Sequence, residues 1–475
     1  MSLLVGLDVG TTGVKALALS PEGEVLARAT RGYSLSIAQA GWAEQDPEDW
    51  WRASERVLAE LAEAAGPPAG IGLSGQMHGL VALDDGDRVL RPAILWNDQR
   101  TAAEAAQIEA TIGVERLIEL TGNRALTGFT APKLEWLREH EPDVHARIAH
   151  VLLPKDYVRL RLTGERAIDV ADASGTLWLD VGARAWSREV LEALGVDEAW
   201  LPRLLESPEV SGTTREGGVP VAAGAGDQAA GALGVGVVEP GGPLSVVLGT
   251  SGVVFAAQGD FSPDPEGRVH AFCHAVPGAW HTMGVMLSAA GSLRWLRDTA
   301  ARGEDFGALV EEAAAWEPGV EGLTFLPYLA GERTPHADPD ARGAFAGLSL
   351  RHDRGALVRA VLEGVAFGLR DALDLVGGDA TVARVGGGGA RSDLWLSIVA
   401  SVLELPMERV AVDEGAAFGA ALLGGVAAGV WPDVDAAVAA TVAPAGRIDP
   451  VPQWIEPYRE AQLRFRELYP RLRDW

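Results

Sequence analysis

Apolar residues fall along the chain in short runs that alternate with longer stretches of helical periodicity. Leu3 to Val9 and Val14 to Leu19 are two such runs flanking Gly10-Thr11-Thr12-Gly13, which predicts a strand hairpin around a Gly/Thr turn. Leu244 to Leu248 and Val253 to Ala257 repeat the arrangement around Gly249-Thr250-Ser251-Gly252, so DVGTTGV from Asp8 has a counterpart in VLGTSGV from Val247. Two separated copies predict two domains of similar construction, 1–240 and 241–475, divided near Glu239-Pro240-Gly241-Gly242-Pro243.

Between these strands lie helical segments. From Gly355 to Val376, Leu357, Val358, Val361, Leu362, Val365 and Leu369 share a face, and Gly377-Gly378 supplies the stop. Ala416 to Trp431 is apolar all round and rich in Gly and Ala, which predicts a buried, closely packed helix too short to span a bilayer. Tyr458 to Leu472 predicts an amphipathic helix, and one placement for it is back against the first domain. Strands alternating with helices in both halves predict an α/β fold with central sheets.

Composition narrows the function. A chain of 475 residues exceeds what one core usually supports, so a cleft between domains is available. With 48% hydrophobic and 22% charged residues the chain can bury a sizeable core. A formal charge of -26 disfavours nucleic acid as a partner. The single cysteine, Cys273, allows no intrachain disulfide, and no export signal follows Met1, so a cytoplasmic protein is expected.

The turn Gly10-Thr11-Thr12-Gly13 offers backbone and hydroxyl donors suited to phosphate oxygens, and the second copy offers the same. Only the first carries an acid, Asp8, where the second has Val247. A carboxylate beside a phosphate cradle reads as the anchor of hydrated Mg²⁺, the alternative being an ordinary turn aspartate. In VAAGAGDQAAGA, from Val221, Gly224-x-Gly226-x-x-Ala229 imitates a dinucleotide fingerprint. Asp227 would meet the pyrophosphate there, and no acid lies between Glu239 and Asp260 to hold a ribose. Asp227 is then either a helix cap or a catalytic carboxylate kept ionised by the helix start. No GxxxxGK[ST] loop occurs, so a nucleotide site here is not of the P-loop type.

Gly386-Gly387-Gly388-Gly389 follows an apolar strand and permits either a tight crossover or the approach of a flat ring. GLSGQMHGL from Gly72 and LWNDQR from Leu95 are polar clusters after strands. Gln76, His78, Asn97 and Asp98 can bind hydroxyls there, and Trp96 can cover a carbon skeleton, unless each is structural. His270 and His274 have metal-pair spacing but no third ligand near in sequence, and they read as structural histidines.

Taken together, these stretches resemble the FGGY family of carbohydrate kinases, and within it the xylulokinases, over essentially the full length. The carriers include GLDVGTTGVK from Gly6, WAEQDPEDWW from Trp42, SGQMHG from Ser74, RPAILWNDQR from Arg91 and FTAPKLEWL from Phe129. They continue with LLPKDYVRLRLTGE from Leu152, GDQAAGALGVG from Gly226, LGTSGVVF from Leu248, FLPYLAGERTPH from Phe325 and GGGGARSDLW from Gly386. The resemblance implies two ribonuclease-H-like domains of the actin and hexokinase superfamily with a catalytic cleft between them. It implies ATP and Mg²⁺, with Asp8 linked to the metal and Asp227 as general base. Thr11, Thr12, Gly13, Lys15, Gly249, Thr250 and Ser251 would surround the phosphates, and Gly387, Gly388, Gly389 and Arg391 the adenosine. Gln76, Met77, His78, Trp96, Asn97, Asp98 and Gln228 would face the sugar, expected to be D-xylulose. Another ketose or a polyol is the alternative within the class, and a nucleotide-driven switch or sugar sensor the alternative outside it. No membrane partner is implied, and the assembly, a homodimer being one option, is not legible.

Overall fold

The computed structural model describes residues 2–412 and 414–474. In the first half β1 (Leu4–Val9), β2 (Gly13–Leu19) and β3 (Val25–Gly32) form a meander, followed by helix α1 (Pro47–Ala65). Asp46 caps α1 by accepting from the Glu48 N–H, with Pro47 in the first turn where no N–H is needed. Then come β4 (Gly70–Gly75), β5 (Val210–Thr213), β6 (Pro220–Ala222), β7 (Ala225–Gly226) and α2 (Asp227–Gly234). The seven strands form one sheet in the order β5-β6-β4-β1-β2-β3, with β7 also on β4. β1 is antiparallel to β2 and parallel to β4, so the turn after β1 and the loops after β4 and β7 emerge close together.

The second half repeats this plan. Its elements are β8 (Leu244–Leu248), β9 (Gly252–Gln258), β10 (His270–Cys273), β11 (Trp280–Met286), α3 (Ala290–Ala300), α4 (Arg354–Val376) and β12 (Ala383–Gly386). They continue with α5 (Asp393–Leu403), β13 (Met407–Val410), α6 (Ala416–Ala427), β14 (Pro444–Ile448) and α7 (Pro452–Leu472). The sheet order is β10-β11-β9-β8-β12-β13-β14. Here β8 is antiparallel to β9 and parallel to β12, as β1 is to β2 and β4. The duplication expected from the two hairpins is therefore a duplication of whole sheets.

One placement differs from the sequence reading, and one that the sequence left open is settled. α7 does not return to the first domain: its Tyr458, Ala461 and Phe465 are buried in the core of the second with Phe325 and Phe367. The Tyr458 hydroxyl accepts from Arg359 at 2.6 Å and Gln462 donates to the Phe367 carbonyl at 3.1 Å, both on α4. The helix that returns is α6. Its Phe418, Leu422 and Leu423 are buried with Leu4, Leu17, Ala222, Ala229 and Ala230 of the first domain. The contact is close because it is made through glycine: a Cβ on Gly72 would lie 1.7 Å from the Ala420 carbonyl oxygen. An amphipathic stripe is absent from α6 because both its faces are covered.

Candidate active site

The turn after β1 is held rigidly. Gly10 donates to the Gly13 carbonyl at 3.1 Å, Gln45 Nε2 to the Thr11 carbonyl at 2.7 Å, and the Tyr33 hydroxyl to the Gly10 carbonyl. Trp96 Nε1 donates to Thr11 Oγ1 at 3.0 Å. Asp8, the residue before the last of β1, has Lys15 and Ser74 as its register partners. Its Oδ1 is buried with no hydrogen-bond partner. Burial pushes the carboxyl up to about 6 against the pull of Ser74 and Lys15. The second turn, after β8, is anchored to the start of α3, where the Ala289 and Gly291 N–H groups donate to the Thr250 carbonyl at 2.8 and 3.1 Å.

Asp227 opens α2, with Gly226 in the cap position. Its carboxyl is pushed up to about 7 by burial and then by the nearby charge of Asp8, with Gln228 partly opposing. Gln228 Nε2 donates to Asp227 Oδ1 at 3.3 Å. Burial and the charge of Asp8 thus work against the helix start, which favours the ionised form.

Asp227 and Gln228 line two adjoining cavities between the sheets. One, about 120 Å³, is lined by Met77, His78, Trp96, Phe129, Ser251 and Arg333, among others. The other, about 160 Å³, is lined by Val247, Phe255, Gly386, Gly387 and Gly415, among others. Gly387 sits against the second turn, since a Cβ there would lie 3.0 Å from the Gly249 nitrogen. A larger open cleft of about 720 Å³ among Glu48, Asp87, Arg91 and Arg161 shares no residue with either cavity and contains neither glycine turn.

Residues 3–234 match the N-terminal domain and residues 244–428 the C-terminal domain of the FGGY family of carbohydrate kinases. The chain belongs to this family. It is 45% identical over 440 residues to a xylulose kinase of Escherichia coli, covering 90% of each chain. Among solved structures it superposes on a xyloylose kinase from Brucella ovis with a TM-score of 0.94 at 45% identity, covering 99% of both chains. It also superposes on a xylulose kinase from Rhodospirillum rubrum with a TM-score of 0.92 at 33% identity, again over 99% of both. The protein is thus a two-domain, actin/hexokinase-like carbohydrate kinase, with ATP as phosphoryl donor and a requirement for a divalent metal. Among the described residues no helix is long and apolar enough to cross a membrane.

Within the kinase the residues picked out from sequence divide. Met77, His78, Trp96, Asp227, Gln228 and Ser251 meet on the first cavity. Asp98 does not reach it. That side chain is fully buried, accepting from the Ala43 N–H at 2.7 Å and from Arg100 in a fork at 2.9 and 2.7 Å. Gln76 is also buried, and its Nε2 donates to Gln45 Oε1 at 3.0 Å, bracing the first turn. Asn97 does not line either cavity. Lys15 is committed to Glu414, with Nζ 2.7 Å from Oε2. Gly388 and Arg391 are exposed, whereas Gly389 is buried.

Sequence reading missed four contributors. Lys133 donates to the His78 carbonyl at 2.8 Å and Thr130 to the same oxygen at 3.1 Å. Both bonds fix the backbone where His78 has a φ of 68°, an uncommon left-handed conformation for a residue with a side chain. His270 and Arg333 line the sugar-sized cavity, so His270 is not merely structural, whereas His274, bonded to the Val237 carbonyl at 2.9 Å, is. Strand alternation puts His270 and Phe272 on one face of β10, with His274 just past its end, but which of them meets a cavity depends on parts of the chain far away in sequence.

Proposed function

We propose that this kinase transfers the terminal phosphoryl group of MgATP to the terminal hydroxyl of D-xylulose, giving D-xylulose 5-phosphate and ADP. The observation that carries the reading is Asp227, a carboxylate shared by both cavities and raised to about 7 by burial. A base with that affinity is matched to a hydroxyl proton at neutral pH. Gln228 orients it through Oδ1, leaving Oδ2 for the sugar. His78 Nδ1 donates to the Gly175 carbonyl at 2.8 Å, and burial keeps the ring neutral by lowering its pKa to about 3. Its Nε2 is therefore an acceptor for a sugar hydroxyl. Met77 and Trp96 supply apolar walls, and Trp96 also ties that wall to the first glycine turn.

The orphaned Oδ1 of Asp8, beside a second carboxylate, fits a hydrated Mg²⁺. Bound there, the ion would offset both negative charges and the phosphates of the nucleotide. The Thr11-Thr12-Gly13 and Gly249-Thr250-Ser251 turns, one per domain, would supply N–H and hydroxyl donors to two sides of a polyphosphate. Gly386 and Gly387 border the adjoining cavity, which suits the nucleoside end. Closing the domains excludes water from Asp227, which protects ATP from hydrolysis.

The sugar rests on the relatives named xylulose kinase at 35 to 45% identity. A panel of ketoses and polyols scored by ADP release, with the product position read by phosphorus NMR, tests it. D-xylulose should give the highest kcat/KM and a 5-phosphate. A clear preference for another sugar would replace this assignment.

A further inference from the structure

Arg333 lies on the cavity that holds Asp227, yet its guanidinium has no ion-pair partner at 4.0 Å or less among the described residues. The neighbouring acid, Glu332, spends Oε1 on the N–H groups of Leu287 and Arg333, at 3.0 and 2.8 Å. A buried guanidinium without an ion-pair partner on a cavity wall keeps most of its five donors for whatever fills the cavity. Among the described residues, the side chain that engages it is His270, with Nε2 3.5 Å from a terminal nitrogen of Arg333.

That contact has a defined sense. Asn123 Nδ2 donates to the carbonyls of Thr121 and Ala271 at 2.9 and 3.1 Å, so Asn123 Oδ1 is the atom facing His270 Nδ1 at 2.7 Å. Oδ1 only accepts, so the proton sits on Nδ1 and His270 Nε2 is the acceptor turned to Arg333. Burial holds His270 neutral, which keeps this tautomer in place. The chain Asn123, His270, Arg333 thus aims a cation from the second domain into a pocket whose floor, Met77 and His78, belongs to the first.

Asp227, Gln228 and Val253 line both cavities, so the phosphoryl group is transferred where the two meet, whereas Arg333, His270 and His78 line only the first. Arg333 therefore sits toward the end of the cavity away from the transferred phosphoryl group. An open-chain 2-ketose whose terminal hydroxyl is at Asp227 extends its carbonyl in that direction. The geometry points to Arg333 as the specificity-determining residue that donates hydrogen bonds to the ketose carbonyl end and so selects ketoses over polyols. The inference rests on the kinase reading above and adds to it the residue that reads the sugar.

The test compares Arg333→Met and Arg333→Lys with wild type in the full-length protein. Calorimetry gives the Kd for D-xylulose and for xylitol, which differs in having an alcohol at the carbonyl carbon, and steady-state assays give KM and kcat. Arg333→Met should weaken D-xylulose by about 10- to 100-fold in Kd and KM, the scale for losing a buried polar partner. Xylitol binding, the KM for ATP and kcat at saturating sugar should each move by less than about threefold. Arg333→Lys keeps the charge without the fork, should lose an intermediate amount, and decides the matter if the methionine variant does not fold. Equal weakening of both sugars, or a change confined to ATP, would overturn the inference while leaving the kinase assignment intact. A wild-type enzyme that phosphorylates no ketose would instead remove the functional reading, and this inference with it.

Discussion

Asp8 and Asp227 are paired acids in a space that solvates neither well, and that has two consequences at the scale of single residues. Because Asp227 accepts a proton only when ionised, kcat/KM for the sugar should fall as pH drops below about 7, with the free enzyme's limiting pKa near that value. A profile flat from pH 5.5 to 8 would exclude Asp227 as the limiting base. The second consequence concerns stability. Both folded pKa values lie above the ordinary 3.8, so between that value and about 7 the folded state holds protons that the unfolded chain has released. Their ionisation therefore destabilises the apoprotein as pH rises, the reverse of a salt-bridged aspartate. Thermal melts of Asp8→Asn without nucleotide should show a variant more stable than wild type at pH 8, with the gap closing toward pH 4. The two acids were legible because each sits at a glycine turn with a chemical reason to be there. The roles of Asp98 and Gln76 were not, since whether a polar side chain after a strand faces a cavity or braces a neighbour depends on partners such as Arg100 and Gln45 that only the fold supplies.

At the scale of elements, the site depends on α6 pressing against β4 and α2. A Cβ at Gly419 would lie 1.8 Å from the carbonyl oxygen of Ala230, on the helix that begins with Asp227. Gly419→Ala should cost about 1–3 kcal/mol or more in urea unfolding, and should also lower kcat because relief of the clash moves α2. Stability lost with kcat intact would mean that α2 does not transmit the shift. Behind the same region Lys155 is fully buried, with Nζ at 2.7, 2.7 and 2.8 Å from the carboxylates of Asp156, Asp169 and Asp172. Burial opposes its charge, but the three aspartates more than offset this and hold it protonated. Lys155→Met leaves Asp169 and Asp172 without their cation, Asp156 keeping Arg159 at 2.6 Å, and should destabilise by about 3–5 kcal/mol at pH 7. The deficit should shrink in acid as those carboxylates protonate. Sequence located α6 through its apolar run but not its destination, because a helix covered on all sides has no periodicity to show which neighbour it meets. The amphipathic α7 was equally visible, yet its apolar stripe of Tyr458, Ala461 and Phe465 fits a core without naming which one.

At the scale of the whole molecule, two sheets of the same plan each carry a glycine turn after their first strand, and the first cavity takes its walls from both halves. Met77, His78 and Trp96 come from the first domain, and Ser251, His270 and Arg333 from the second. Binding of sugar and nucleotide together should therefore draw the halves closer, seen as a smaller radius of gyration in solution scattering with D-xylulose and a non-hydrolysable ATP analogue than with either alone. The duplication was readable from the paired hairpins, since a Gly/Thr turn between apolar runs is a strong local pattern. The composite sugar wall was not, because its residues, from Met77 to Arg333, are separated by more than two hundred and fifty positions and meet only when both sheets have formed.

The central claim is that one carboxylate, shared by the two cavities, takes the sugar proton. It is tested most directly by the turnover of Asp227→Asn on D-xylulose with saturating MgATP, measured beside wild type and with folding verified by its melting curve. A fall in kcat of about 10²- to 10⁴-fold, with the KM for ATP nearly unchanged, is the expected result. A folded variant turning over at the wild-type rate would contradict the claim.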